Sequence, residues 1–329
     1  MTYWTSEDNV AGKPGTALFI ILPTIGCYRY RIGQACYMCS YPASAPPKVK
    51  WSQEAIVDYV KEALKKIEGK KGGPFAVRMF TSGSFLDNGE LKPETRKKIF
   101  EILAEMDNVE EIVIESRSEL VRYEAVKELA EIVPDKHFEV AIGLETANDD
   151  VADVSINKGG NTFADFVKAA EITHKAGAKV KTYLLLKPIF LSEHDGIEDA
   201  KESIIKAEPY TDTFSINITD IQKGGTLYER LWEKKEYRPP WLWSAVEVLI
   251  WAKRKFPNKR ILSDPVGAGS KRGGPHNCLT DYDRVIGKAI KKFSATQDLS
   301  YIENLKHECR DRWEYIVENG LLDWQLVTW

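Results

Sequence analysis

Apolar and polar positions along this chain follow two rhythms that alternate. Short β-rich apolar runs at Thr16–Leu22, Phe75–Thr81, Glu111–Glu115, His137–Leu144, Lys179–Leu186 and Thr213–Ile218 predict six strands. Between them the spacing turns helical. It does so over Trp51–Ile67, from a helix opened by Pro93, from about Glu119, near Asp149, and over Thr162–Lys175 and Ile197–Ala207. After the sixth strand it does so near Leu227 and over Trp243–Arg254. Strands alternating with helices make parallel βαβ units whose right-handed crossovers curl one way. The fold class is therefore α/β, read as an open, partial (β/α)6 barrel. A doubly wound sheet has the same periodicity.

The rhythm changes after about Lys259. A short strand, Arg260–Ser263, leads into the glycine-rich Asp264–Gly274, two further helices and an aromatic tail, Trp324–Trp329. This divides the protein into a barrel, residues 1–259, and a C-terminal α-rich extension, residues 260–329.

Composition narrows the class. A protein of 329 residues with 43% hydrophobic content can bury a sizeable core. No apolar run approaches the roughly 18 residues of a membrane span, and Met1–Val10 is polar, so a cytoplasmic protein with no membrane partner is expected. The net charge of −3 hides an asymmetry: Lys253–Lys292 carries eleven basic and three acidic residues, +8 in all, leaving −11 elsewhere. A polyanionic partner fits such a stretch, as do solvated helix faces. Trp241, Trp243 and the tail aromatics are either base-stacking surfaces or core.

Three of the five cysteines, Cys27, Cys36 and Cys39, fall within thirteen residues directly after the first predicted strand. In a (β/α) barrel the loops after strands form the active-site mouth. Three thiolates on a four-iron cubane leave one iron free for a further ligand. The alternative is a zinc site in a nucleic-acid-binding protein, completed by Cys278 or His276, although no second Cys-x₂-Cys knuckle is present. Cys278 and Cys309 stand alone in the sequence, and Cys309 reads as a small buried residue.

The other strand ends carry matching chemistry. Ser82, Gly83 and Ser84, followed by Asp87, form a small-residue loop whose bare backbone can hold an ammonium or carboxylate. Glu115 can grip a ribose diol and Arg117 can fork a carboxylate; Glu145 ends the fourth strand and Lys187 the fifth.

These loops resemble those of the radical S-adenosylmethionine (SAM) superfamily, and the wide first cysteine gap resembles its Elongator-like branch. Met38 stands where that branch usually has an aromatic residue. Within the branch, Cys36–Cys39 with Ser40-Tyr41-Pro42, Gly83-Ser-Phe-Leu-Asp87, Gly143-Leu-Glu145-Thr, Lys187-Pro188 through Glu193, and Gly273-Gly-Pro-His276-Asn277-Cys278 resemble the radical SAM subunits of archaeosine synthase. Thr280-Asp281 stand where that family often has a further cysteine, which speaks against metal in the extension.

The resemblance implies a [4Fe–4S] cluster on Cys27, Cys36 and Cys39. It implies SAM held at its amino group by Ser82, Gly83 and Ser84, at its ribose by Glu115, with Glu145 and Arg117 completing the pocket. Asp87, Lys187, Asn217 and His276 become candidates for gripping the modified base or the lysine. The implied reaction cleaves the C–N bond at the end of the lysine side group in a lysine-adducted 7-cyano-7-deazaguanine, in the D-loop of archaeal tRNA. The implied partners are that tRNA, the lysine-transferring subunit and an electron donor; the alternative within the branch is a radical SAM enzyme acting on a different substrate.

Overall fold

The computed structural model describes residues 2–41, 51–159 and 161–321. One eight-stranded sheet runs in sequence order: β1 (Tyr3–Val10), β2 (Lys13–Ile21), β3 (Phe75–Phe80), β4 (Val109–Ser116), β5 (His137–Glu145), β6 (Lys179–Leu186), β7 (Thr213–Ile218) and β8 (Arg260–Leu262). All neighbours pair in parallel except β1 with β2. Sequential order has no switch point, which excludes the doubly wound alternative. Helices α1 (Gln53–Leu64), α2 (Pro93–Ala104), α3 (Tyr123–Ile132), α4 (Phe163–Lys175) and α5 (Glu193–Ala207) occupy the crossovers from β2 to β7. Helices α6 (Leu227–Glu233) and α7 (Leu242–Lys255) precede β8; α8 (Asp281–Thr296) and α9 (Cys309–Glu318) follow it. Among the described residues no helix is long and apolar enough to cross a membrane.

Period-two patterning sorts the strands' side groups. Val77, Met79, Ile112, Ile114, Val140, Ile142, Leu184, Leu186, Phe214 and Ile216 join the helices in one large core. The intervening positions face inward and are largely polar: Arg78, Glu111, Glu115, Glu139, Lys181, Tyr183, Thr213, Ser215 and Asn217. The sheet curls until residues of its two ends touch, since Arg260 of β8 reaches Asn9 of β1 at 3.4 Å. Helix α8 touches β1, β2 and β8 across that opening. The eighth strand thus carries the sheet past residue 259.

The N-terminal end of this half-barrel is plugged by charge. Arg78 pairs with Asp8 (2.6 Å) and Glu111 (3.4 Å), and Arg260 with Glu111 (2.7 Å) and Glu139 (2.6 Å). Thr213 donates to Glu139 at 2.6 Å. Arg260, helped by the hydrogen bond from His137 and the charge of Lys181, holds the Glu139 carboxyl well below the usual carboxylate range despite its burial. Burial, aided by Arg78, pushes the Lys181 ammonium down to about 8. With the bottom sealed, access to the interior is at the carboxyl-terminal end.

Several features depart from the sequence reading. Strand β1 has no clear sequence signal, because its residues, YWTSEDNV, place polar groups on both faces and its two-residue turn, Ala11-Gly12, lacks the usual Asn or Asp. Both turn residues have positive φ, and the turn is held by Asn9 and by the Glu111 carboxylate, which accepts from the Ala11 amide. Trp241 and Trp243 are core residues, 2% and 1% exposed, so neither offers a stacking surface. The basic stretch is not one patch: Arg260 is inside the barrel, Lys259 bonds the carbonyls of Glu208 and Thr211, and Lys291 and Lys292 face Asp264 and Glu7. The aromatic tail Trp324–Trp329 lies outside the described residues.

Candidate functional site

The loop after β2 carries Cys27, Cys36 and Cys39 and is pinned on two sides. On one side the Cys27 amide donates to the Ser82 carbonyl at 3.1 Å. Gly83 lies against this contact so closely that a Cβ there would sit 2.6 Å from the Cys27 Cα and 2.0 Å from the Glu90 carboxylate. Nothing larger than hydrogen fits, which explains the glycine. On the other side the loop is bonded to the segment after β5: Tyr37 N to Ile156 O (2.8 Å), Asn157 Nδ2 to Ala35 O (2.9 Å) and Arg29 Nη1 to Gly159 O (2.9 Å).

Glu90 is a hub that the sequence did not announce. Its buried carboxylate accepts from the Thr24 hydroxyl (2.5 Å) and the Ser84 amide (2.7 Å), joining the approach to the cysteine loop with the loop after β3. Burial pushes its carboxyl up.

The expected ligand-holding groups divide into three sets. Gly83 and Ser84 are used within the protein: the Gly83 amide donates to Thr81, the Ser84 amide to Glu90, and the Ser84 hydroxyl accepts from the Arg117 amide (3.1 Å). Asp87 caps its own loop by accepting from the Gly89 amide (2.7 Å) and faces Arg31 of the cysteine loop at 3.9 Å. Arg117 is not a free fork. It bonds Glu119 (2.5 Å) and the Lys158 carbonyl (2.9 Å), and its Nη1 is 3.9 Å from the Cys36 sulfur.

Glu115, Glu145 and Asn217 line the interior of the half-barrel. Burial pushes the Glu115 carboxyl up to about 7, against the hydrogen bond from Tyr183 and the charge of Lys181. Glu145 sits at a register shift between β5 and β6 with φ +68, a bulge that re-aims its carboxylate. It is bound by Lys158 at 2.7 Å, and Gly143 leaves room for that pair, since a Cβ there would lie 2.8 Å from both charged groups.

Lys187 and His276 form a third set. The buried Lys187 ammonium pairs with Glu193 at 2.8 Å and donates to the Arg238 carbonyl at 3.1 Å. Arg238 Nη2 lies 2.9 Å from His276 Nδ1 and donates to the His276 carbonyl at 2.7 Å. Both residues therefore serve a buried polar knot with Glu193, Tyr237 and Arg238. Lys158, Glu90 and Tyr183 had no sequence signal of their own, because their roles depend on approach across the fold.

The unfolded reference for Glu115 is about 4.5 and the folded value about 7. Between these pH values the folded protein keeps a proton that the unfolded one releases, so the group disfavours folding increasingly as pH rises through the window. Glu115→Gln is expected to raise the melting temperature of ligand-free protein at pH 8 and to leave it unchanged at pH 4. A gain of equal size at both pH values would contradict the assigned shift.

The trio's donor set suits a body larger than one ion. The three sulfurs do not all lie within 4.8 Å of one another, whereas thiolates on a tetrahedral zinc are separated by roughly 3.8 Å. Burial pushes the Cys39 thiol up to about 12, and the nearby Cys36 and Cys27 sulfurs add to this, so a cationic occupant is what brings that thiol to its ionised, ligating form.

The sequence pattern of the Radical SAM superfamily matches residues 21–201, and the protein belongs to that superfamily. The half-barrel is similar to that of an N-terminally truncated archaeal Elp3 from Methanocaldococcus infernus, with a TM-score of 0.54 at 14% identity, over 84% of this protein and 63% of that one. Over its full length it is 95% identical to all of the archaeosine synthase subunit beta of Thermococcus kodakarensis. It is 45% identical to that of Methanosarcina acetivorans, over 96% of this protein and 89% of that one. Its family is that of the archaeosine synthase beta subunits.

Proposed function

We propose that the protein acts on tRNA bearing a lysine-adducted 7-cyano-7-deazaguanine in the D-loop. It cleaves the bond between the lysine's terminal methylene carbon and its nitrogen, so that the nitrogen stays on the base as the formamidine of archaeosine. The observation that carries this reading is a trio of thiols at the open mouth of the half-barrel, in a protein similar from end to end to an archaeosine synthase subunit beta. A cluster on Cys27, Cys36 and Cys39, with SAM, supplies one-electron cleavage of a sulfonium and hydrogen-atom abstraction when bound.

The protein's part is position and shielding. Glu115 has no full counter-charge, so a diol donating two hydrogen bonds to it relieves an unfavourable ionisation. Arg117 and Lys158 keep positive charge beside the sulfurs. The closed lower end keeps water from entering there, and a reacting carbon held near van der Waals contact makes the rate sensitive to small displacements. Tyr30 and Phe190, exposed at 40% and 59% on loops after strands, support a substrate with nucleobases to stack. The reading brings with it two protein partners, a lysine-transferring subunit and an electron donor.

The test is anaerobic incubation of reduced protein with SAM and lysine-modified tRNA, followed by nucleoside analysis. Archaeosine is the expected product. Release of 5′-deoxyadenosine with unchanged tRNA would assign the chemistry to a different substrate.

A further inference from the structure

Cys278 and Cys309, solitary in the sequence, meet in the fold. With His307 they offer two sulfurs and Nδ1, all within 4.8 Å of one another. His307 Nδ1 lies 3.0 Å from the Cys309 sulfur and 3.9 Å from that of Cys278. Ligands on one tetrahedral zinc, with Zn–S about 2.3 Å and Zn–N about 2.0 Å, are separated by roughly 3.5–3.8 Å. The two sulfur–nitrogen spacings bracket the expected value, and binding would draw the two sulfurs together within their 4.8 Å limit and replace the bond that the Cys309 amide donates to His307 Nδ1 at 3.3 Å.

The surroundings favour a metal. The Cys309 sulfur accepts from Trp243 Nε1 at 3.4 Å, a donor suited to a thiolate. The Arg310 guanidinium lies over the same Trp243 ring at 5.4 Å. His307 stacks on Tyr282 with ring centroids 4.6 Å apart, which fixes the orientation of the imidazole. The backbone beside Cys278 is held by the buried Asp283, which accepts from the Asn277 amide at 3.0 Å. The Trp243 bond is the kind of contact that orients a ligating sulfur in metal sites.

We propose that Cys278, His307 and Cys309 bind one zinc ion, separate from the cysteine trio, with water completing the tetrahedron where Cys278 reaches the surface. Binding displaces the two thiol protons. The ion clasps the segment carrying His276 and Asn277, whose carbonyls receive Arg238, to the start of α9. It thereby fixes a loop that follows the last strand of the half-barrel. The site requires no particular substrate and does not rest on the proposed reaction.

Zinc and iron are measured on protein purified without oxygen, as wild type and as Cys278→Ser, Cys309→Ser and Cys36→Ala. About one zinc per molecule is expected in the wild type. Most of it should be lost from Cys278→Ser and Cys309→Ser with iron unchanged, while Cys36→Ala should lose iron and keep zinc. Because Cys309 is buried and its variant can misfold, the surface variant Cys278→Ser decides, together with cobalt(II) added to zinc-stripped wild type. A near-ultraviolet thiolate-to-cobalt band absent from Cys278→Ser supports the site. Wild type without zinc, zinc indifferent to Cys278, iron that leaves with Cys278, or a Cys278–Cys309 disulfide in non-reduced mass spectra would each overturn it.

Discussion

Cys36→Ala is expected to lose cluster iron and turnover together, iron falling from about four per molecule toward zero and product formation to the level of the blank. Three thiolates on one short loop supply every protein ligand of the proposed cluster, so none is redundant. Cys36 is also the sulfur that the Arg117 guanidinium approaches at 3.9 Å. Its removal also leaves two thiols, one of them, Cys39, already held protonated to about pH 12 by burial. The fold should tolerate the change. Positions 35–39 are only partly buried, and the loop remains pinned through Tyr37, Asn157 and Arg29. Iron content, ultraviolet–visible absorption and archaeosine formation are measured side by side with the melting temperature. A variant that keeps about four irons and still turns over would remove Cys36 from the ligand set, as would a colourless wild type holding zinc on these cysteines.

Glu111→Ala is expected to give the largest loss of stability, about 3–5 kcal/mol, because it strips a shared counter-charge from two buried arginines. Glu111 is fully buried and receives Arg78, Arg260 and the Ala11 amide. Afterwards Arg78 keeps Asp8 and Arg260 keeps Glu139, but with the buried Lys181 the plug holds three basic groups against two carboxylates, and the β1–β2 turn loses its anchor. A drop in melting temperature on the order of 10 °C follows for a protein of this size. Zinc and iron content per folded molecule should not change, since the plug lies at the opposite end of the strands from the cysteine loop. A loss below about 1 kcal/mol, the ordinary range of a surface substitution, would mean that the arginines find other partners.

The two expectations act on opposite ends of the same strands, and the reason lies in their patterning. On β4, Ile112 and Ile114 enter the core between sheet and helices while Glu111 and Glu115 face inward. One of these carboxylates joins the arginine plug and the other lies above it, toward the carboxyl-terminal end of the strand. Stability and candidate chemistry thus share one inward-facing row of residues on the same strand.

The sequence by itself determined the repeating strand–helix order, the boundaries of β6 and β7, the location of the cysteine trio after the first parallel strand, and the carboxylates at the ends of β4 and β5. These are local or periodic signals: a strand shows its core-facing side at every second position, and three ligands on one loop are legible because they are close in sequence. Tertiary structure alone decided the rest. Strand β1 exists because β2 and Glu111 are there to receive it. Glu90 and Lys158 matter through what the fold brings against them. Arg260, counted in a basic run, ends up inside the barrel because alternation on β8 turns it inward. Cys278 finds Cys309 and His307, the latter 29 residues further on, only after α8 has folded back over the sheet. Contacts between residues far apart in sequence depend on how helices and strands pack, and the local pattern of hydrophobic and polar positions does not encode that packing.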